Sequence, residues 1–229
     1  MFSRESKKPM LDGRPLNMTV NKIVCIGRNY TAHAAELNNP IPDTPLLFIK
    51  PNSTLSDFSG KVNIPYSLGL VHHELEIAIL IGKYLTSHSS RHEIERGVLG
   101  VGLALDLTLR DIQHQLKKRG HPWERAKCFP GACPISEFAS SDKIDDLNSL
   151  NIQLLKNNQL QQQGSSNQMI FPIIDLIQQV AEIFTLDPGD VILTGTPSGV
   201  SPLNHRDFLD AQLVTDQLLI RAQCEIIRN

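Results

Sequence analysis

Val71-His72-His73-Glu74-Leu75-Glu76-Ile77-Ala78-Ile79-Leu80-Ile81 is the stretch on which the fold turns. Successive side chains of a strand point to opposite faces, so a period of two sorts them. Leu75, Ile77, Ile79 and Ile81 fall on one face, and His72, Glu74, Glu76 and Ala78 on the other. The alternation predicts a strand over residues 71–81 with one apolar side. It also fixes how two acids stand to each other. On a strand, residues i and i+2 lie about 6–7 Å apart at Cα and point the same way. Two carboxylates that close repel unless a cation sits between them. On a helix they would diverge by about 200° and could share no ion. Alone, a Glu-x-Glu pair reads as two acids facing water on an edge strand.

Residues 97–109 change that reading. Leu99, Val101, Leu103, Leu105 and Leu107 share one face, and Gly100, Gly102, Ala104 and Asp106 the other. A carboxylate closing so apolar a strand is costly to bury unless it is paired or coordinated. Its small neighbours are expected to leave room for a ligand. Three carboxylates without a cysteine favour a hard cation, Mg2+ or Mn2+, over Zn2+. The adjacent His72 and His73 suggest zinc, but the zinc-protease pattern needs a histidine at the position of Ile77.

Further strands are predicted at Lys22–Gly27, at residues 46–50, at Asn151–Lys156 and residues 159–163 around an Asn157-Asn158 turn, at Val191–Leu193, and as one or two strands within residues 213–227. Helices are predicted over residues 30–37, stopped by Asn38-Asn39-Pro40, over Arg110–Arg119, and over residues 173–184, where Ile173, Leu176, Ile177, Val180 and Ile183 recur at helical spacing. There is no regular strand–helix–strand rhythm. The order predicts an α+β fold, rich in strands, with a mixed or largely antiparallel sheet and a few short helices.

Composition sets the outer limits. The 229 residues are 41% hydrophobic and 20% charged, which is ordinary for a globular protein and excludes a disordered chain, a collagen or a coiled coil. A net charge of −2 gives no electrostatic footprint for nucleic acid or an anionic membrane. The length fits a polar N-terminal arm over residues 1–20 followed by a single domain over residues 21–229. Cys25, Cys128, Cys133 and Cys224 form no C-x-x-C pair, which argues against a disulfide scaffold or zinc ribbon and for a reducing compartment. No run approaches the roughly 18 apolar residues of a membrane span, and the first residues lack the apolar core of a signal peptide. A cytoplasmic protein is expected.

Four blocks carry a resemblance. Gly27-Arg28-Asn29-Tyr30 with His33, then Phe48-Ile49-Lys50-Pro51, form the first. His73-Glu74-Leu75-Glu76 is the second. Leu105-Asp106, Arg110-Asp111, Gln113 and Ala126-Lys127 are the third. Asp190-Val191-Ile192-Leu193-Thr194-Gly195-Thr196-Pro197 with Gly199-Val200 is the fourth. In this order, over residues 22–200, they resemble the fumarylacetoacetate hydrolase family on its short acylpyruvate hydrolase branch. The chain departs from the family pattern at Ser201, where many members continue with glycine, and at Asn157-Asn158, in place of Asn-Gly. Residues 204–215 also lack the usual glycine-rich hairpin.

The resemblance implies a β-rich roll, a homodimer, and Mg2+ or Mn2+ acting on small 2-oxo acids. Carried over, Glu74, Glu76 and Asp106 are the metal ligands, and His33 and Glu36 the catalytic dyad of a lid helix. Lys127 completes the catalytic set, and Arg110, Gln113 and Thr196 surround the substrate. A 2-oxo acid offers a carboxylate and a keto oxygen to one metal, which serves as Lewis acid. Cleavage of an acylpyruvate then leaves a pyruvate enolate that Lys127 would stabilise, with His33 as general base for water and Glu36 orienting it. Gln113 would position that water. Thr196 and the amides of the Gly195 loop would hold the substrate carboxylate. The expected activity is C–C hydrolysis of acylpyruvates such as acetylpyruvate or fumarylpyruvate. The alternatives are oxaloacetate decarboxylation or tautomerisation, and hydroxymuconate isomerisation or decarboxylation, at the same metal.

Overall fold

The strand predicted over residues 71–81 is two strands that belong to different sheets. In this computed structural model, which describes residues 8–36 and 40–228, Val71–His73 pairs antiparallel with Thr108–Leu109 and with Ser201–Pro202. Leu75–Ile81 instead pairs with Val98–Leu105 on one side and Val191–Leu193 on the other. The chain changes sheets at Glu74. Its neighbour, predicted as one strand over residues 97–109, changes sheets at the same level, between Leu105 and Thr108. The amide of Asp106 donates to the carbonyl of Glu74 at 2.9 Å, so the two corners are tied to each other. A period of two survives such a corner because it reports where side chains point, not which strand the backbone pairs with.

Leu75–Ile81 lies inside an eight-stranded mixed sheet that contains Leu46–Pro51, Lys22–Gly27, Val191–Leu193, Val98–Leu105, Cys133–Ile135 and Leu55–Asp57, with Ala139–Ser140 paired beside Val98–Leu105. Lys22–Gly27 runs parallel to Val191–Leu193, and most other pairs are antiparallel. Ile77, Ile79 and Ile81 face a large core, while Ala78 and Leu80 pack with Ile23, Cys25 and Leu193 on the opposite side. Both faces of the strand are therefore buried. Gly100 and Gly102 do not open a ligand space as expected. A Cβ on Gly100 would stand 2.7 Å from Leu11 Cδ1, and one on Gly102 would stand 3.0 Å from Phe138 Cδ1. Phe138 and Leu11 fill the groove that these glycines leave.

A second, five-stranded sheet runs Gln159–Ser165, Asn151–Lys156, Phe208–Val214, Leu219–Arg228 and Gly60–Ile64. Its Ile152, Leu154, Leu209, Leu213 and Ile226 enter the same large core, as do Ile173, Leu176 and Val180 of the helix Ile173–Ile183. Asn157 and Asn158 both adopt left-handed φ (52° and 64°), the conformation a tight hairpin demands and asparagine tolerates. The C-terminal strands begin at Phe208, ahead of the predicted start at Leu213. Residues 10–20 lie against the body, with Phe138 exchanging backbone hydrogen bonds with Met10 and Asp12. The first seven residues of the expected arm, Leu37 at the end of the predicted lid helix, its Asn38-Asn39 stop, and Asn229 lie outside the described residues. The fold is a strand-rich α+β roll of curled mixed sheets.

Candidate active site

The two corners bring three acids together. One oxygen each of Glu74, Glu76 and Asp106 lies within 4.8 Å of the others, and the three residues are only 5%, 2% and 1% exposed. Lys127, from the short helix Glu124–Lys127, reaches between them. Its Nζ donates to Glu74 Oε2 at 2.8 Å and to Asp106 Oδ2, and it stands 5.1 Å above the ring of Phe48. Arg110 opens the helix Arg110–Arg119, donates to Glu74 Oε1, and holds Gln113 Oε1 at 2.6 Å. Glu76 makes no ion pair among the described residues, and its Oε2 accepts from the amide of Gly195 at 2.7 Å.

These contacts separate the acids electrostatically. Burial raises the pKa of Glu74, but Lys127 and Arg110 outweigh it and hold the group well below the usual carboxylate range. Glu76 goes the other way: burial first, then the charges of Asp106 and Glu74, push it well above that range. Burial works against the charge of Lys127, yet Asp106 and Glu74 raise its pKa. Glu76 thus needs either a proton or a cation, and three carboxylate oxygens without nitrogen or sulfur suit a hard divalent ion. The residues present fit Mg2+ or Mn2+.

Lys50 supports this floor from below. Its buried Nζ donates to the carbonyls of Leu107 at 3.3 Å, Ala132 at 3.0 Å and Lys127. An ammonium has three protons, so its 2.8 Å approach to Asp106 Oδ1 is a contact of charges without a hydrogen bond. Lys50 stands in the first sequence block, but nothing in its spacing tells a buried counter-ion from a strand-end lysine. Asn29, from the same block, is a structural staple. Its side chain joins the carbonyls of Thr194 (2.8 Å) and Phe171 (3.1 Å) and the amide of Phe171 (2.8 Å).

A narrow cavity opens above the acids. It is lined by every expected residue except Glu36, and also by Arg28, Lys117, Phe48 and Trp123. Arg110, Gln113 and Lys117 present one helix face at i, i+3 and i+7. Arg28 follows the strand Lys22–Gly27 in left-handed backbone (φ 61°), a conformation that a non-glycine residue seldom adopts. His33 is buried on the helix Thr31–Glu36, with Nδ1 3.1 Å from Glu36 Oε2. Glu36 Oε1 in turn accepts from the amide of Gly199 at 3.0 Å, which ties the helix to the 194–199 loop. One expectation is corrected here. The Gly195 amide is engaged with Glu76 and so does not offer itself to a substrate carboxylate. His72 and His73 stay out of the acid cluster, and His73 turns instead to Gln162 and Ser201.

Fold and cavity together define a roll with a buried carboxylate centre faced by a cationic wall. The sequence pattern described as fumarylacetoacetate (FAA) hydrolase C-terminal matches residues 22–223, and the chain belongs to that family. It is 43% identical over 198 residues to the oxaloacetate tautomerase YcgM of Escherichia coli, covering 86% of this chain and 90% of that one. It is 45% identical over 186 residues to a mitochondrial oxaloacetate decarboxylase of Dictyostelium discoideum, covering 81% and 85%. The fumarylpyruvate hydrolase of Pseudomonas aeruginosa, solved with Mn2+ and pyruvate, superposes with a TM-score of 0.88 at 26% identity, covering 100% and 99%. The chain is an enzyme of this family.

Proposed function

We propose that this protein is an oxaloacetate tautomerase dependent on Mg2+ or Mn2+. The observation that carries the reading is the charge of the cavity wall. Arg28, Arg110, Lys117 and Lys127 face three acids, and a divalent ion would leave the site with a positive surplus. That surplus suits a dicarboxylate such as oxaloacetate better than a singly charged acylpyruvate such as acetylpyruvate, though it suits the dicarboxylate fumarylpyruvate equally. The likeness to the E. coli tautomerase supports the same choice. The sequence motifs favour hydrolysis no more than this reaction, because they report the metal and the 2-oxo acid head, which all these activities share.

Glu74, Glu76 and Asp106 would hold the metal, which supplies Lewis-acid polarisation of the keto group. Tautomerisation moves one proton from C3 to the C2 oxygen, with no net change in atoms. His33 would take the C3 proton, and Glu36, 3.1 Å away, would orient its ring and stabilise the cation formed. Lys127 would face the oxygen on which negative charge develops. Arg110, Gln113 and Thr196 would hold the head carboxylate, and Arg28 and Lys117 at the mouth suit the second one.

The test follows the absorbance of enol-oxaloacetate with Mg2+ or Mn2+ and with EDTA, assaying pyruvate separately to detect decarboxylation. Enol decay no faster than in buffer would refute the reading. Acylpyruvate cleavage is the second reading, favoured by the hydrolase bound to Mn2+ and pyruvate. Turnover of acetylpyruvate in place of oxaloacetate would select it. A homodimer and a cytoplasmic location complete the proposal. Light scattering that returns a 25.5 kDa particle would remove the dimer. The four cysteines, all unpaired, accord with a reducing compartment.

A further inference from the structure

Gln162 belongs to no role assigned above. It lies on Gln159–Ser165, is buried, and approaches Thr196 from behind the cavity wall. Two backbone groups determine which way round its amide stands. The Leu75 N–H can only donate, and it lies 2.9 Å from Gln162 Oε1. The Pro197 carbonyl can only accept, and it lies 2.9 Å from Nε2. Oxygen and nitrogen are therefore fixed by obligate partners.

The consequences spread in both directions. His73 Nδ1 approaches the same Oε1 at 2.9 Å, so Nδ1 carries a proton and Nε2 keeps a lone pair. Ser201 Oγ, 2.7 Å from Nε2, supplies that hydrogen bond and accepts one from Lys156 Nζ at 2.8 Å. Gln161 Oε1, at 3.2 Å, is the more distant rival for the serine proton. On the other side, the second proton of Gln162 Nε2 goes to Thr196 Oγ1 at 2.8 Å. The Thr196 hydroxyl is thus an acceptor toward Gln162. Its own proton meets only the Pro197 carbonyl at 3.4 Å among the described residues, beyond the usual range for a hydroxyl donor. Thr196 lines the cavity.

We propose that Gln162 is a positioning residue that makes Thr196 a hydrogen-bond donor to a carboxylate oxygen of the bound 2-oxo acid, with His73 and Ser201 locking it from behind. A free hydroxyl rotates and can donate in any direction. Here one lone pair is engaged from the rear, and the proton is left for the ligand. The inference rests on the reading of Thr196 as a substrate contact.

Gln162→Glu is nearly isosteric and tests the polarity. It keeps an oxygen toward Leu75 and His73 but puts a second oxygen where Nε2 stood. Thr196 would then give its proton to the introduced carboxylate, away from the cavity. The readout is pyruvate binding by calorimetry at saturating Mn2+. Affinity is expected to fall about tenfold to hundredfold, the worth of a hydrogen bond to a charged group. Thr196→Val should lose as much, and Thr196→Ser should bind like the wild type. Gln162→Glu should cost nothing further in the Thr196→Val background. Equal losses in both backgrounds, or wild-type binding by Thr196→Val, would overturn the proposal. If Gln162→Glu does not fold, Ser201→Ala, which releases His73, carries the same comparison. A several-fold loss confined to the Thr196 background is expected, and equal losses or none overturn it. Pyruvate carries the 2-oxo acid head whichever reaction is catalysed. A protein that binds it as described but leaves oxaloacetate unchanged would refute the tautomerase reading alone.

Discussion

Acid should weaken this protein through His73. The ring is fully buried, and burial is the largest of the influences that lower its pKa from 6.5 to about 4, against a raising hydrogen bond to Gln162. Between those two values the unfolded chain binds a proton that the folded protein refuses. The stability due to His73 is therefore present above pH 6.5 and is lost as the pH falls through about 4. At about 1.36 kcal/mol per pH unit, the window from 6.5 to about 4 is worth about 3 kcal/mol. That is a large share of the roughly 5–15 kcal/mol that holds a domain together. Urea denaturation of wild type and His73→Gln, above pH 6.5 and again near pH 4, isolates the residue. All other titrations cancel in the difference between the two proteins, and glutamine does not titrate. The wild-type advantage should shrink by about 3 kcal/mol over that range. An advantage that stays constant would show that His73 is not held neutral, and would break the donor order assigned to Ser201, His73 and Gln162.

Three other outcomes follow from the site. The proton on Glu76 competes with a metal, so wild-type Mn2+ affinity should climb with pH by up to about tenfold per unit. Glu76→Gln should bind Mn2+ more weakly and lose that climb, as calorimetry at several pH values would reveal. Lys50→Met strips three carbonyls and Asp106 of their buried cation and should cost about 3–5 kcal/mol in urea denaturation, whereas a cost below about 1 kcal/mol would make the ammonium dispensable. Gly199→Ala should lower the melting temperature by several degrees and slow turnover. Its φ is 99°, and a Cβ there would fall 1.8 Å from the carbonyl oxygen of Gln161, beside the amide that anchors Glu36.

Much of the acid floor was readable from period alone. Glu74, Glu76 and Asp106 border apolar alternations, and burial of such acids demands a proton or a cation whatever the exact pairing. The corners were not readable, because a strand that leaves one sheet for another keeps its alternation. Lys50 and Gln162 escaped for a different reason. Each acts through partners far along the chain, Lys50 on Ala132 and Gln162 on Leu75 and Pro197, and no local pattern encodes such a meeting. The helix Glu124–Lys127 is a single turn, too short for helical periodicity to appear. The early start at Phe208 was in principle legible. Leu209, Ala211 and Leu213 alternate inward, but the preceding turn, closed by a 2.7 Å hydrogen bond from the Asn204 amide to the Asp207 carboxylate, is rich in polar residues.

The sheet-changing corners divide the site into two parts with different freedom to vary. Glu76 stands on a strand buried on both faces, and Glu74 and Asp106 at the two corners locked to each other, so substitutions there disturb the core. Of the cations opposite, Lys127 is buried with the acids, whereas Arg110 and Lys117 stand on the helix Arg110–Arg119 and Arg28 just after the strand Lys22–Gly27, all three only partly buried. Changes in the partly buried part of the wall would alter the size and charge of the acid accepted while leaving the floor in place. The same buried acid floor is thus compatible with more than one reaction, depending on the wall built over it.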